Sequence, residues 1–193
     1  SDLDSTPADD LDGDLRPGAD NLADIGADEA DPSFSPPSDA SAPISFVADL
    51  PDAITEAIFD VEFLASDAET GVKHVELYYR KDNGPWTRYG ATFATSPISF
   101  STGSTGGDGR YDFHTKATDN SDNSEAARDT PDDSLIVLTS FTGTRVYVDV
   151  DAAGPQTGAD WSTAIKGINS AVIVANAFGA SEIWVAAGIY PDS

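Results

Sequence analysis

From Ala42 to Thr139 the chain alternates short apolar and polar runs, cut by Gly, Pro, Asn and Asp at intervals of roughly 8–12 residues. No other feature constrains the fold as strongly. A strand points successive side chains to opposite faces, so each alternating run has one face to bury. Several such runs must pair and stack to bury those faces together. Val72–Arg80 alternates well, with Lys73, Val75, Leu77 and Tyr79 on the better core side. Val72, His74, Glu76, Tyr78 and Arg80 lie on the other side. The turn Lys81-Asp-Asn-Gly-Pro85 follows, and Asn83-Gly84 can supply the positive φ values of a tight hairpin. Ile44–Val47, Trp86–Phe93, Ile98–Phe100 and Leu135–Leu138 read as further strands. Arg110–Thr118 places Tyr111, Phe113, Thr115 and Ala117 on one face. Ala57–Ala65 alternates imperfectly, as a bulged strand or one buried on both faces would. Ser101–Gly109 is a glycine- and serine-rich loop. The pattern predicts a mainly β chain with an antiparallel sandwich over residues 44–140.

The chain carries 34 acidic against 10 basic residues, a formal net charge of −24. Such a surface repels nucleic acid and anionic membrane, which argues against both as partners. It suits a medium rich in salt or calcium, where cations screen the self-repulsion. There is no Cys, so disulfides and thiol chemistry are excluded. No apolar run is long enough to insert as a membrane helix. The chain begins Ser-Asp and is expected to be a processed or excerpted part of a longer polypeptide.

The segments flanking residues 44–140 differ from it. Residues 1–31 scatter Leu11, Leu15, Leu22 and Ile25 among turn formers and acids, too sparsely to bury much area alone. They read either as a segment lying against another body or as a disordered acidic tail. Residues 32–43 hold four prolines with Ser and Asp, an extended linker. In residues 144–193, Arg145–Asp149 reads as a strand and Val150–Gly158 as a loop. Trp161, Ile165, Ile168, Val172, Ala175 and Phe178 then recur at helical spacing. Asp160 or Ser162 can cap that helix and Gly179 can end it. Glu182–Tyr190 reads as a strand entering a turn.

Three phrases resemble known families. Asp12-Gly13, Arg16, Asp24-Ile-Gly-Ala27 and Glu29 resemble the closing segment of right-handed parallel β-helix surface proteins of the choice-of-anchor Q group. The succession of the Arg145–Asp149 strand, the Val150–Gly158 loop, the helix beginning Asp160-Trp-Ser-Thr-Ala164 and the Ile183-Trp-Val-Ala-Ala-Gly-Ile-Tyr190 strand resembles the opening of the same group. Asp108–Asn123 resembles a phrase of bacterial immunoglobulin-like modules. The resemblances imply an Ig-like or fibronectin-type antiparallel sandwich with flanking partial parallel β-helix segments. They also imply one short capping helix near residues 160–178. The domains implied are residues 1–31 as the end of a β-helix-like unit, 32–43 as linker, 44–140 as sandwich and 144–193 as the start of another β-helix-like unit.

The expected chemistry follows from loops, not from a catalytic constellation. His74 and His114 sit on polar strand faces and are expected to be solvated surface residues. There is no P-loop, dinucleotide fingerprint or nucleophile elbow, so the expectation is a protein that is not an enzyme. Calcium is the expected cofactor, because hard cations want several carboxylate, amide and carbonyl oxygens on loops. Asp67, Glu69, Asp119, Asn120 and Asp122 are candidate ligands if their two loops meet at one pole of the sandwich. Asp10, Asp12 and Asp14 form a second, partial string without the bidentate Glu of an EF-hand. The competing reading is that Asp and Asn simply make good turns.

A terminal apolar strand has unpaired backbone groups. Ile183, Trp184, Val185, Ile189 and Tyr190 are therefore the candidate assembly strand. Its expected partners are copies of this chain or adjacent domains of the same protein. The sequence thus points to an extracellular or cell-surface structural protein, secreted and of prokaryotic type: a modular spacer or a head-to-tail filament subunit. The alternatives are an adhesin or carbohydrate-binding module using Trp86 or the Ser101–Gly109 loop, with glycans as partners, and a fragment of a polysaccharide-active β-helix enzyme.

Overall fold

The computed structural model describes residues 39–190. Residues 1–31 and most of the linker therefore lie outside the described residues. The described chain is mainly β with one α-helix, as the alternation predicts. Its strands are β1 (Ile44–Val47), β2 (Ala53–Ile54), β3 (Ile58–Val61), β4 (Phe63–Ser66), β5 (Val72–Lys81), β6 (Thr87–Phe93), β7 (Ile98–Ser101), β8 (Gly109–Asp119) and β9 (Asp133–Val137). β10 (Arg145–Val148), α1 (Ile168–Phe178) and β11 (Glu182–Val185) follow.

A five-stranded sheet in the order β2-β9-β8-β5-β6 forms one layer. It is antiparallel except for β2, which runs parallel to β9. The ribbons β1-β4 and β3-β7 lie on its inner side. Val47, Val61, Leu77, Ile98, Phe100, Tyr111, Phe113, Leu135 and Val137 form the core, drawn from both layers. Phe100 is its hub, with ring centroids 4.5 Å from Tyr89, 4.9 Å from Phe113 and 5.3 Å from Phe59.

Two local features depart from the sequence reading. Ala57–Ala65 is two strands, not one bulged strand. At Glu62 the chain changes partner, from β7 to β1. The β5–β6 turn is centred one residue earlier than Asn83-Gly84. Positive φ falls on Asp82 (48°) and Asn83 (59°), and Gly84 N donates to Lys81 O at 2.8 Å. Asp tolerates this left-handed backbone, so glycine is not needed at either central position.

The edge of β1 beside β8 is joined by side chains where a ladder would otherwise run. Asp132 Oδ2 accepts from Val47 N and Thr115 N, both at 3.0 Å. Glu125 accepts from Ser45 N at 2.7 Å through Oε1 and from Ala117 N at 2.6 Å through Oε2. An Arg128 guanidinium nitrogen donates to Ser45 O at 3.2 Å and to Thr115 O at 2.9 Å. Backbone donors of both strands are thus satisfied by acids from one connecting segment.

Beyond β9, β10 and β11 pair in parallel, joined through α1, as parallel strands require a long crossover. The helix is shorter than the 160–178 pattern predicts. Asp160 does cap a turn, but a 3-10 turn at Trp161–Thr163, and Ile165 forms a parallel bridge with Val148. Gly179 ends α1 in the left-handed region at φ 73°. Ala171, Val174 and Ala175 are the helix residues in the core, with Phe178 packed against it, while Ile168 and Val172 are exposed. The stripe that begins at Trp161 fails because Trp161–Gly167 is not α-helical. The second core joins Val146, Val148, Ile165, Ala171 and Val174 to Ala53, Ile136 and Leu138 of the sheet region.

Candidate functional site

Three segments meet where β4 hands over to β5 and β8 ends. Asp67 sits just after β4, and its Oδ1 accepts from the backbone of Glu69, Thr70 and Gly71 at 2.8–3.1 Å. Asp119 closes β8, is fully buried, and accepts from Ser121 N and Asn123 N at 2.8 Å. Asp39 precedes β1. Its carboxylate accepts from Thr70 Oγ1 at 2.6 Å and from Ser41 N at 2.9 Å. Asn120 and Asn123 tie the segments together: Asn120 Nδ2 donates to Thr70 O and Gly71 O, and Asn123 Nδ2 donates to Asp39 O.

Carboxylate oxygens of Asp39, Asp67 and Asp119 lie within 4.8 Å of one another. Calcium takes oxygens at 2.3–2.6 Å, so two ligands across one ion are at most about 5 Å apart. The spacing and the donor set therefore suit a hard cation. The carboxylates also perturb one another. Glu69 is pushed above the ordinary glutamate range, first by its hydrogen bond to Asp39 and then by the negative charges of Asp39, Asp67 and Asp119. Asp39 is held low, mainly by the Thr70 hydroxyl and then by Ser41 N–H.

Of the residues singled out in the sequence, Asp67 and Asp119 are brought together and Glu69 stands beside them. Asn120 spends its amide on two carbonyls of the facing loop. Asp122 is turned away: it sits at φ 68° and pairs with Lys73 Nζ at 2.6 Å. Asp10, Asp12 and Asp14 lie outside the described residues. Asp39 was not anticipated. It falls in the proline-rich stretch, and nothing in its local sequence signals that the chain folds back there.

A second feature lies on the outer face of β5 and β8. His114 is buried, not solvated, because Trp86 and Tyr78 cover it. Its ring stacks on Tyr78 at 5.1 Å and meets Trp86 at 4.2 Å, and Arg80 lies over Trp86 at 4.7 Å. Trp86 Nε1 is buried without a hydrogen-bond partner among the described residues. Burial pushes the His114 imidazole below its ordinary pKa, and the Arg128 charge adds to this. A depressed histidine favours the neutral folded state. Its contribution is complete above about pH 6.5 and is lost as pH falls through the lower folded value. His114→Phe is expected to reduce the loss of stability between neutral and mildly acid pH, measured by urea unfolding across that range.

The third feature is the exposed edge of β11. Glu182 N donates to Thr144 O and Ala186 N to Val148 O, so even-numbered residues face β10. By alternation, the N–H and C=O groups of Ile183 and Val185 point to the open edge. Trp184, Val185 and Ile189 are exposed, Ile189 by 90%. Trp184 stands beside Tyr147, which also contacts Trp161, and Arg145 lies 4.0 Å over the Trp184 ring. Tyr190 is anchored inward, its hydroxyl donating to Ala186 O at 3.0 Å.

Comparison with protein-family models, curated proteins and solved structures gives no match to this chain. No helix among the described residues is long and apolar enough to cross a membrane.

Proposed function

We propose that this chain is an extracellular structural module, a spacer or filament subunit whose last strand is completed by another strand. That strand comes from a second copy or from an adjacent domain of the same protein. The two layers would form an Ig-like sandwich, and β10-α1-β11 the opening of a β-helix-like unit, with α1 as its cap. The observation that carries the reading is β11, paired on one edge only among the described residues, with two residues' backbone groups on the other edge and exposed apolar side chains at Trp184 and Val185. Strand addition satisfies those groups and buries Val185 together.

Val185→Pro tests the proposal selectively. It removes an outward N–H and leaves the β10–β11 ladder intact. The expected result is concentration-dependent assembly of the unmodified chain, seen by electron microscopy and sedimentation, and a folded monomer for the variant. If the unmodified chain stays monomeric at high concentration while Ile183 and Val185 amides resist hydrogen exchange, the proposal fails.

Calcium belongs to the same reading. Held by Asp39, Asp67 and Asp119 with Glu69 beside them, it would pin the segment before β1 to the sandwich pole and relieve the carboxylate repulsion. Calcium at about 100 times its dissociation constant is expected to add about 2.7 kcal/mol, raising the melting temperature by roughly 5–10 °C. Asp39→Asn is expected to remove most of that rise. The gain should shrink on acidification, because Glu69, the carboxylate with the raised pKa, takes up a proton early and competes with the ion. An unchanged melting temperature with calcium and with chelator counts against the site.

A further inference from the structure

We propose that the strand completing β11 runs parallel to it and reads basic, apolar, aromatic, apolar. The inference rests on the strand completion proposed above and names the chemistry of the missing neighbour. Three rows of side chains cross the β10–β11 sheet and stop at its open edge. Each row specifies what stands next in it.

The first row is ionic. Arg145 and Glu182 are register partners, and Arg145 Nε donates to the Glu182 carboxylate at 2.6 Å. Glu182 remains exposed. A residue of the next strand would stand about 4.8 Å beyond it. An opposite charge across strands is favourable there and a like charge unfavourable. The surrounding net charge of −24 acts in the same direction and favours a base.

The second row is aromatic. Trp161, Tyr147 and Trp184 follow one another, with ring centroids 4.9 Å and 6.0 Å apart and planes crossing at 70° and 66°. Tyr147 and Trp184 are register partners. The indole of Trp184 is held on two sides. Glu182 accepts from its Nε1 at 2.9 Å, and the Arg145 guanidinium lies 4.0 Å over the ring. Trp184 is nevertheless exposed, and one strand spacing places a further ring within edge-to-face range of it.

The third row is apolar. Ile165, Val148 and Val185 are neighbours through the Ile165–Val148 bridge and the register of Val148 with Val185. Ile165 and Val148 are fully buried, whereas Val185 is 46% exposed. Val146 and its register partner Ile183 repeat the trend, the first buried and the second half-buried. Burial decays toward the open edge, and an apolar side chain on the next strand restores it.

The direction follows from the pairings already made. β10 with β11, and Ile165 with Val148, are parallel. Wholly parallel sheets are favoured over mixed ones, so the next strand is parallel as well. Its residues opposite Glu182, Ile183, Trp184 and Val185 are then basic, apolar, aromatic and apolar. Arg145-Val-Tyr-Val148, the strand on the other edge of β11, has this pattern. β11 itself opens with Glu182 and does not. A parallel β11–β11 contact would set Glu182 against Glu182, so the join is head-to-tail.

The test titrates the whole chain, below any assembly concentration, with a capped peptide of residues 143–150 and follows amide chemical shifts. Saturable shifts are expected at Ile183 and Val185 and at the Trp184 indole, and Val185→Pro in the chain should abolish them. Arg145→Glu in the peptide is expected to weaken binding by about fivefold or more, and Tyr147→Ser to weaken it too. Glu182→Gln in the chain should level the Arg and Glu peptides, which a merely structural role for Glu182 would not do. A spin label on the peptide N-terminus should broaden Ser181 and Glu182 before Ala186. The inference is overturned by no saturable shifts at millimolar peptide, by equal binding of a Glu182–Val185 peptide, or by the label broadening Ala186 first. Assembly that Val185→Pro blocks, with no preference among peptides, sinks this inference alone and leaves strand completion standing.

Discussion

Replacing Phe100 by alanine is expected to cost about 3–5 kcal/mol, read as a shifted urea midpoint in tryptophan fluorescence. Phe100 is fully buried between the two layers and meets five aromatic rings, of Phe59, Tyr79, Tyr89, Tyr111 and Phe113. The rings come from β3, β5, β6 and β8, held in place by their own ladders, so they cannot collapse into the space left behind. Domains of this size are stable by about 5–15 kcal/mol, so this single change removes a large share. Phe46→Ala is the control. Phe46 points outward from β1 and is 47% exposed, so its loss should cost under about 1 kcal/mol. Equal costs for the two would show that the layers do not pack as described.

Asp132→Ala is the second large effect, at about 3–5 kcal/mol. The carboxylate is largely buried and serves Val47 N, Thr115 N and Arg128 together. Its removal leaves two backbone donors and a guanidinium without their acceptor. Asp132→Asn should cost less, about 1–3 kcal/mol, since one amide oxygen can still serve part of the set. Hydrogen exchange localises the damage: amides of Val47 and Thr115 should lose protection first. If both variants match the unmodified chain, the acids beside β1 are ornaments of the surface and not joints between strands.

The mainly β character was legible because β5 and β8 alternate cleanly. Period-two patterning placed Val75, Leu77, Tyr111, Phe113 and Ala117 inward, and they are buried. The partner change at Glu62 was not legible. Alternation runs through Ile58–Ala65 with only a local fault, and nothing in it says which neighbour each half meets. The helix boundary misled because Trp161 and Ile165 continue the spacing of α1 by coincidence, while Ile165 pairs as an extended residue. At the acidic cluster, Asp67 and Asp119 were found from loop chemistry. Asp122 was assigned with them because spacing cannot reveal a left-handed residue that swings its carboxylate to Lys73. Asp39 was hidden by a stretch whose composition says only extended chain. His114 was placed on the correct face, but Trp86 closes over that face, which no strand pattern foretells.

The second core has a mechanical consequence. Ala53, Ile136 and Leu138 of the five-stranded sheet region are packed in one cluster with Val146, Ile165 and Val174, and Ile183 of β11 packs against it, so β11 is welded to the β-layers with no swivel between them. Any fibre grown through β11 would inherit that rigidity within each subunit. Its bending would be confined to the joints between successive copies, and its stiffness would be set there.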